Sequence, residues 1–182
     1  TGLCDPRGVA VDRHGNLFVA DSANNRVAHN QNALADATFE RAFGQTSLAG
    51  TTCNAGGVSA ASLCGPRELT VGVDDTLFVA DAGNHRVLAY LTAFSGDTQA
   101  DRVFGQGGSM ISATPGSGAG GLSSPAGVGL DDSGNLYVAD TGNDRVLEID
   151  APLTGDLLAD RVFGQPDLSA TGCNTEGVSV TS

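Results

Sequence analysis

The chain has 182 residues, 40% of them hydrophobic, and a formal net charge of −12, so it is long and apolar enough to bury a core. Its nine basic residues are all arginines, and only Arg13 lies outside a repeated frame; that leaves no clustered cationic surface of the kind a nucleic-acid backbone or an anionic membrane needs. No apolar run approaches the roughly 20 residues that span a bilayer, and 26 glycines with few helix-forming stretches point to strands and turns.

The first predicted strand covers 7–12, within Pro6-Arg7-Gly8-Val9-Ala10-Val11. Gly15-Asn16 supplies a turn, because both residues tolerate positive φ. A second strand follows over 17–21, Leu17-Phe18-Val19-Ala20-Asp21, dense in aromatic and β-branched residues. The Asx-rich turn Ser22-Ala23-Asn24-Asn25 leads to a third strand over 26–30, and a fourth over 39–44 runs into Phe43-Gly44-Gln45.

The same order then recurs. After Pro66 come strands over 67–73, 77–81, 86–91 and 101–105, with Asp75-Thr76 in the first turn, Ala82-Gly83-Asn84-His85 in the second and Arg102 to Gln106 at the end. After Pro125 come 126–131, 136–140, 145–149 and 160–164, with Gly134-Asn135, Thr141-Gly142-Asn143-Asp144 and Arg161 to Gln165 in the matching places. Pro6, Pro66 and Pro125 set a period of about 60 residues. Four antiparallel strands per unit, joined by tight turns, form a meander, and radial repetition of meanders gives a β-propeller. The expected fold is all-β: one propeller region over 1–182, with blades at about 3–62, 63–121 and 122–182.

These residues resemble the NHL repeat, whose hallmark runs Pro-x-Gly-Val-Ala-Val-Asp, a Gly-Asn turn, then Leu-Tyr-Val-Ala-Asp-x-Gly-Asn-x-Arg-Val. Pro6 to Val27 and Pro125 to Val146 match it nearly throughout; the second unit departs at Glu68, Gly72 and Asp75 but keeps Asp81, Asn84, Arg86 and Val87. The Phe-Gly-Gln linkers are similar to those of a long-period bacterial variety. The resemblance implies a propeller and leaves the activity open, because NHL propellers include lyases, sensor ectodomains and RNA-binding scaffolds.

Each unit pairs an Asp with an Arg five residues on: Asp21/Arg26, Asp81/Arg86 and Asp140/Arg145. Threefold recurrence in equivalent places marks scaffold rather than catalysis. The expectation is an exposed pair across a turn, contributing little stability and fixing register.

Four cysteines fall at two repeat positions. Cys53 and Cys173 lie eight residues after a Phe-Gly-Gln glutamine, and Cys4 and Cys64 two residues before a repeated proline. Thr114 and Ser123 stand at both places in the second-to-third junction. Joint loss is what partnership produces, so a Cys53–Cys64 bond is expected, as in an extracellular, cell-surface or periplasmic protein; unpaired cytosolic thiols are the alternative, and the spacing is unlike a zinc site. Cys4 and Cys173 are then outer halves of two such bonds. The stretch from Cys173 through Ser182, joined to Thr1 through Cys4, reads like Cys53 to Cys64. Three accounts follow: two copies closing head to tail into a six-bladed ring, a fibre of successive copies, or a piece of a longer propeller. The chain starts at Thr1 without Met, as a processed or truncated product would.

Other motifs carry less. Gly116-x-Gly118-x-x-Gly121 lacks the strand before and helix after that a dinucleotide fingerprint needs, and reads as an inter-blade loop. Asp131-Asp132-Ser133-Gly134-Asn135 clusters oxygens that calcium could use, but no downstream Glu completes an EF-hand, so no cofactor is expected. His14, His29 and His85 sit at three different repeat positions, and no nucleophile motif is present. His85 shares its place with Asn25 and Asp144, which suggests a tolerant surface position. The first functional expectation is therefore an exported scaffold that binds protein or copies of itself. The alternatives are a lyase or hydrolase using His29, His85 and the Asp-rich turns at the central channel, and a ligand-sensing ectodomain.

Overall fold

The computed structural model describes residues 2–91, 93 and 96–174. The stretch 175–182, which ends the third unit and the variable loop 166–182, lies outside the described residues, as does Thr1. The first sheet holds β1 (Pro6–Val11), β2 (Leu17–Asp21), β3 (Arg26–Asn30) and β4 (Arg41–Phe43). The second holds β5 (Pro66–Val71), β6 (Leu77–Asp81), β7 (Arg86–Tyr90) and β8 (Arg102–Phe104). The third holds β9 (Gly127–Leu130), β10 (Leu136–Asp140), β11 (Arg145–Ile149) and β12 (Arg161–Phe163). Each sheet is an antiparallel meander whose strand order follows the chain.

Several strand bounds differ from the sequence reading: β1, β5, β7 and β9 replace the expected 7–12, 67–73, 86–91 and 126–131. The fourth strands are three residues long, because only that stretch pairs with the third strand. The Asx turns are single 3₁₀ turns, each closed by a left-handed residue: Asn25, His85 and Asp144, with φ of 52°, 55° and 53°. Asp75 takes the left-handed turn position itself (φ 67°), where Gly15 and Gly134 stand in the other hairpins.

Strand alternation stacks the blades. Phe18 and Ala20 of β2 face the second blade, which offers Leu77 and Val79 of β6 and Leu88 and Tyr90 of β7. Phe78 of β6 points the other way, onto Leu136 and Val138 of β10. The middle blade is covered on both faces, so all five residues of β6 are buried. In β10 buried and half-buried residues alternate, as expected for a strand covered on one face. The first strands, β1, β5 and β9, lie side by side.

Phe-Gly-Gln is the joint between blades. Gly44 and Gly105 hold φ of 85°, and a Cβ there would come within 2.6 Å of Leu63 and 3.0 Å of Leu122 respectively. The next blade's leucine thus sits where a side chain would stand. The glutamine then ties the corner. Gln45 Nε2 donates to the Asn25 and Thr52 carbonyls at 2.9 and 2.8 Å, and Gln106 Nε2 donates to the His85 and Thr114 carbonyls at 2.9 and 2.8 Å. Leu63→Ala should lower the unfolding free energy by about 2–5 kcal/mol, and Gly105→Ala should also destabilise through its φ and its contact; urea denaturation monitored by circular dichroism measures both.

Candidate functional site

The repeated Asp, Asn and Arg form one buried clasp per blade. In the second blade, Asp81 Oδ1 accepts the Cys64 N–H at 2.7 Å, while Oδ2 accepts Asn84 Nδ2 at 2.7 Å and Arg86 Nε at 2.8 Å. The first blade repeats this with the Cys4 N–H, Asn24 and Arg26 on Asp21 at 2.6, 2.9 and 2.6 Å. The third uses the Ser123 N–H, Asn143 and Arg145 on Asp140 at 2.6, 2.7 and 2.8 Å.

The expected exposure of these pairs is corrected: Asp21/Arg26, Asp81/Arg86 and Asp140/Arg145 have side chains between 0% and 2% exposed. The remaining guanidinium donors reach further than the hairpin. Arg86 donates to the Ser62, Ser59 and Met110 carbonyls at 2.8, 2.9 and 2.7 Å. Arg26 donates to Gly2 and Leu48, and Arg145 to Gly121, Gly118 and Leu168. Two of the carbonyls from the Gly116–Gly121 loop are therefore clasp acceptors, and a third, that of Gly116, takes Asn143 Nδ2; no helix follows that loop. Burial pushes the Asp81 carboxyl above its usual range, against the pull of Arg86 and the Cys64 N–H.

Cys53 and Cys64 are bonded, which joins the loop after the first blade to the residue that caps Asp81. Cys4 and Cys173 are free and exposed. The three histidines lie at separate places. His14 Nε2 is 3.4 Å from Asp75, which also takes Arg13 at 2.9 Å, so the one arginine outside the frame bridges the first two blades. His29 is buried against Phe18, with ring centroids 4.6 Å apart. Burial, then Arg41, lowers its pKa from the ordinary 6.5, while Glu40 and Asp12 oppose.

His85 is more than a tolerant surface residue. Its Nδ1 accepts the Ser124 N–H at 3.0 Å, as Asn25 Oδ1 accepts the Gly65 N–H at 2.8 Å. The position therefore links one blade to the backbone of the next. Asn and His both offer an acceptor at that reach, a chemistry hidden when letters alone are compared.

A cleft of about 580 Å³ opens between the second and third blades, walled by Val71, Phe78 and Leu130 and rimmed by Asp74, Asp131 and Asp132. Asp131 is already engaged: Oδ1 accepts the Asn135 and Ser133 N–H groups at 2.9 Å and Oδ2 accepts Asn135 Nδ2 at 3.0 Å. Those bonds, the Asn135 N–H foremost, hold its carboxyl below the usual range. Asp12 closes its own turn on His14 and Asn16 in the same way. Among the described residues no three His, Cys, Asp or Glu side chains group so as to hold a metal ion, and no helix is long and apolar enough to cross a membrane.

The family model for the NHL repeat matches residues 3–29, 63–90 and 122–148. No curated protein matches the chain. Among solved structures, a catalytically inactive virginiamycin B lyase from Staphylococcus aureus with quinupristin is 17% identical, covered over 43% of its length by 91% of this chain, with a TM-score of 0.55. A chain of a nidogen/laminin complex is 22% identical, over 90% of this chain and 48% of its own, with a TM-score of 0.57. A protein from Lactobacillus plantarum is 13% identical, over 91% and 43%, with a TM-score of 0.60. At these identities the likeness is one of fold, and the chain spans less than half the length of each.

Asp81→Ala leaves the Arg86 guanidinium buried without its carboxylate, and is expected to cost about 3–5 kcal/mol by urea denaturation. A second test concerns His29. Its folded-state pKa lies below its unfolded value, so the unfolded chain takes up the proton first. The stability this provides is full above about pH 6.5 and falls as pH drops through that value toward the folded pKa. The His29→Ala variant, which copies Ala89 of the second blade, should lose less stability than the parent between about pH 8 and about pH 5 in paired urea titrations.

Proposed function

Because the chain is an NHL-repeat protein whose three blades have the β-propeller fold, we propose that it is an exported, non-enzymatic scaffold that binds protein through its blade faces and inter-blade loops. One observation carries this reading: apart from His29, packed against Phe18, and Asp132 on the cleft rim, the groups that looked available for chemistry are tied into the fabric at equivalent places in the blades. The three Asp carboxylates hold the clasps, Asp12 and Asp131 close hairpin turns, and His85 accepts an N–H of the next blade. Loops on such a rigid frame are free to vary without cost to it. The Cys53–Cys64 bond supports export, since such bonds persist outside the reducing cytosol.

Quinupristin is the probe for the competing lyase reading. After prolonged incubation with the protein, with and without added divalent metal, it should be recovered unchanged by liquid chromatography and fragmentation mass spectrometry. Conversion that is lost in His29→Ala or His85→Ala, together with one tightly held transition metal per chain, would overturn the scaffold reading.

A further inference from the structure

We propose that the cleft between the second and third blades receives an arginine side chain of a partner protein, in the place that Arg13 takes at the first junction. This rests on the scaffold reading and names the chemistry of its partner.

The two internal junctions are built from the same repeat, so a difference between them marks what one of them does alone. At the first, the seventh residue after the blade's proline reaches the ninth of the next blade. Arg13 donates to Asp75 at 2.9 Å, and His14 Nε2 lies 3.4 Å from the same oxygen. At the second, those two positions hold Val73 and Gly134, and Asp74 stands where His14 does. Neither Val73 nor Gly134 has a charged or hydrogen-bonding side chain, so the second junction lacks that strap. Val73 instead lines the cleft with its side chain in water, 88% exposed. Both walls belong to blades adjacent in the chain, and the contrast is between two junctions that the chain itself contains.

The cleft offers what an arginine side chain needs. Its walls, Val71, Val73, Phe78, Leu130 and Leu153, are apolar and suit a methylene stem. Its rim carries Asp74, Asp131 and Asp132, and none of its lining residues is basic. Arg102, which meets the loop 151–154, is held by the Pro152 and Gly155 carbonyls at 3.2 and 3.3 Å. Asp74 accepts the Thr76 N–H and hydroxyl at 3.2 and 2.9 Å, and Asp131 closes its own turn, so both carboxylates are fixed in place. The turn bonds that lower the Asp131 pKa keep it ionised at neutral pH. Asp132 is exposed, and among the described residues no hydrogen bond or ion pair engages it. It is the carboxylate open to a two-pronged guanidinium contact. A guanidinium suits this place better than an ammonium, because it is planar and more weakly hydrated. The net charge of −12 draws a cationic partner in over distance. The volume of about 580 Å³ is that of pockets enclosing more than one side chain, so residues flanking the arginine enter with it. That favours a protein segment over the free amino acid.

The test titrates the protein into a fluorescently labelled pentapeptide, one arginine between glycines and capped at both ends, followed by anisotropy. Binding is expected with a Kd below about 0.1 mM. It should weaken at least about tenfold when citrulline, which keeps the shape and loses the charge, replaces the arginine. Val73→Arg, which supplies a guanidinium from within the chain, should weaken binding at least about tenfold, and Asp132→Asn at least about threefold. Leu34→Arg adds the same charge at a residue 93% exposed on the first blade and should leave the affinity unchanged. Unaltered circular dichroism and urea midpoints show that the variants fold. Equal binding of the citrulline peptide, of a lysine peptide or of arginine amide would overturn the inference, as would equal losses in Val73→Arg and Leu34→Arg. If no peptide binds and quinupristin is recovered intact, the cleft inference falls and the scaffold reading stands. If the arginine peptide binds but quinupristin is converted, the scaffold reading falls and the cleft keeps its preference.

Discussion

The buried carboxylate at the end of each second strand is the constraint on which the blades depend. An unpaired charge in that position would be expelled or protonated, so the chain must bring donors to it. It does so from three directions: the residue two before the proline, the 3₁₀ turn, and the arginine opening the third strand. The arginine in turn gathers carbonyls from the loops on either side. One ion pair thereby fixes a hairpin, the chain entering the blade and the chain leaving it. Fully satisfied networks of this kind specify a single arrangement, because every partial arrangement strands a buried polar group.

The clasp explains why the inter-blade loops differ in sequence yet leave the blades alike. The loops contribute backbone carbonyls, which all residues possess. Ser59, Ser62 and Met110 serve Arg86, whereas Gly118, Gly121 and Leu168 serve Arg145. The disulfide is an addition to this scheme. At the second-to-third junction Ser123 supplies the same N–H to Asp140 without a cysteine, and Leu122 fills the same space above the linker glycine. The Cys53–Cys64 bond restrains a loop whose far end is already anchored.

Legibility followed locality. The meander, its turns and the spacing of Asp, Arg and proline are properties of neighbours in the chain, and period-two alternation with Gly and Asx turns exposes them. The inter-blade contacts bring together residues dozens of positions apart: Arg41 with Ala93, Arg13 with Asp75, His85 with Ser124. Gly44 could be read as a turn residue, but the reason nothing larger fits, the approach of Leu63, belongs to the next blade. The Gly-rich loop is separable from a phosphate cradle by its missing helix, yet its role as acceptor for Arg145 gives no signal, since carbonyls have no letter.

The sequence by itself determined the repeat, the four-stranded unit and the residues that recur in it, because hydrogen bonding and sterics between near neighbours set these. Only the tertiary structure decided that Asp21/Arg26, Asp81/Arg86 and Asp140/Arg145 are buried rather than exposed. Burial is a property of what lies above a residue, and here that cover comes from the loops before and after each blade. The same physical distinction separates β6, buried along its whole length between two neighbouring sheets, from β10, where buried and half-buried residues alternate.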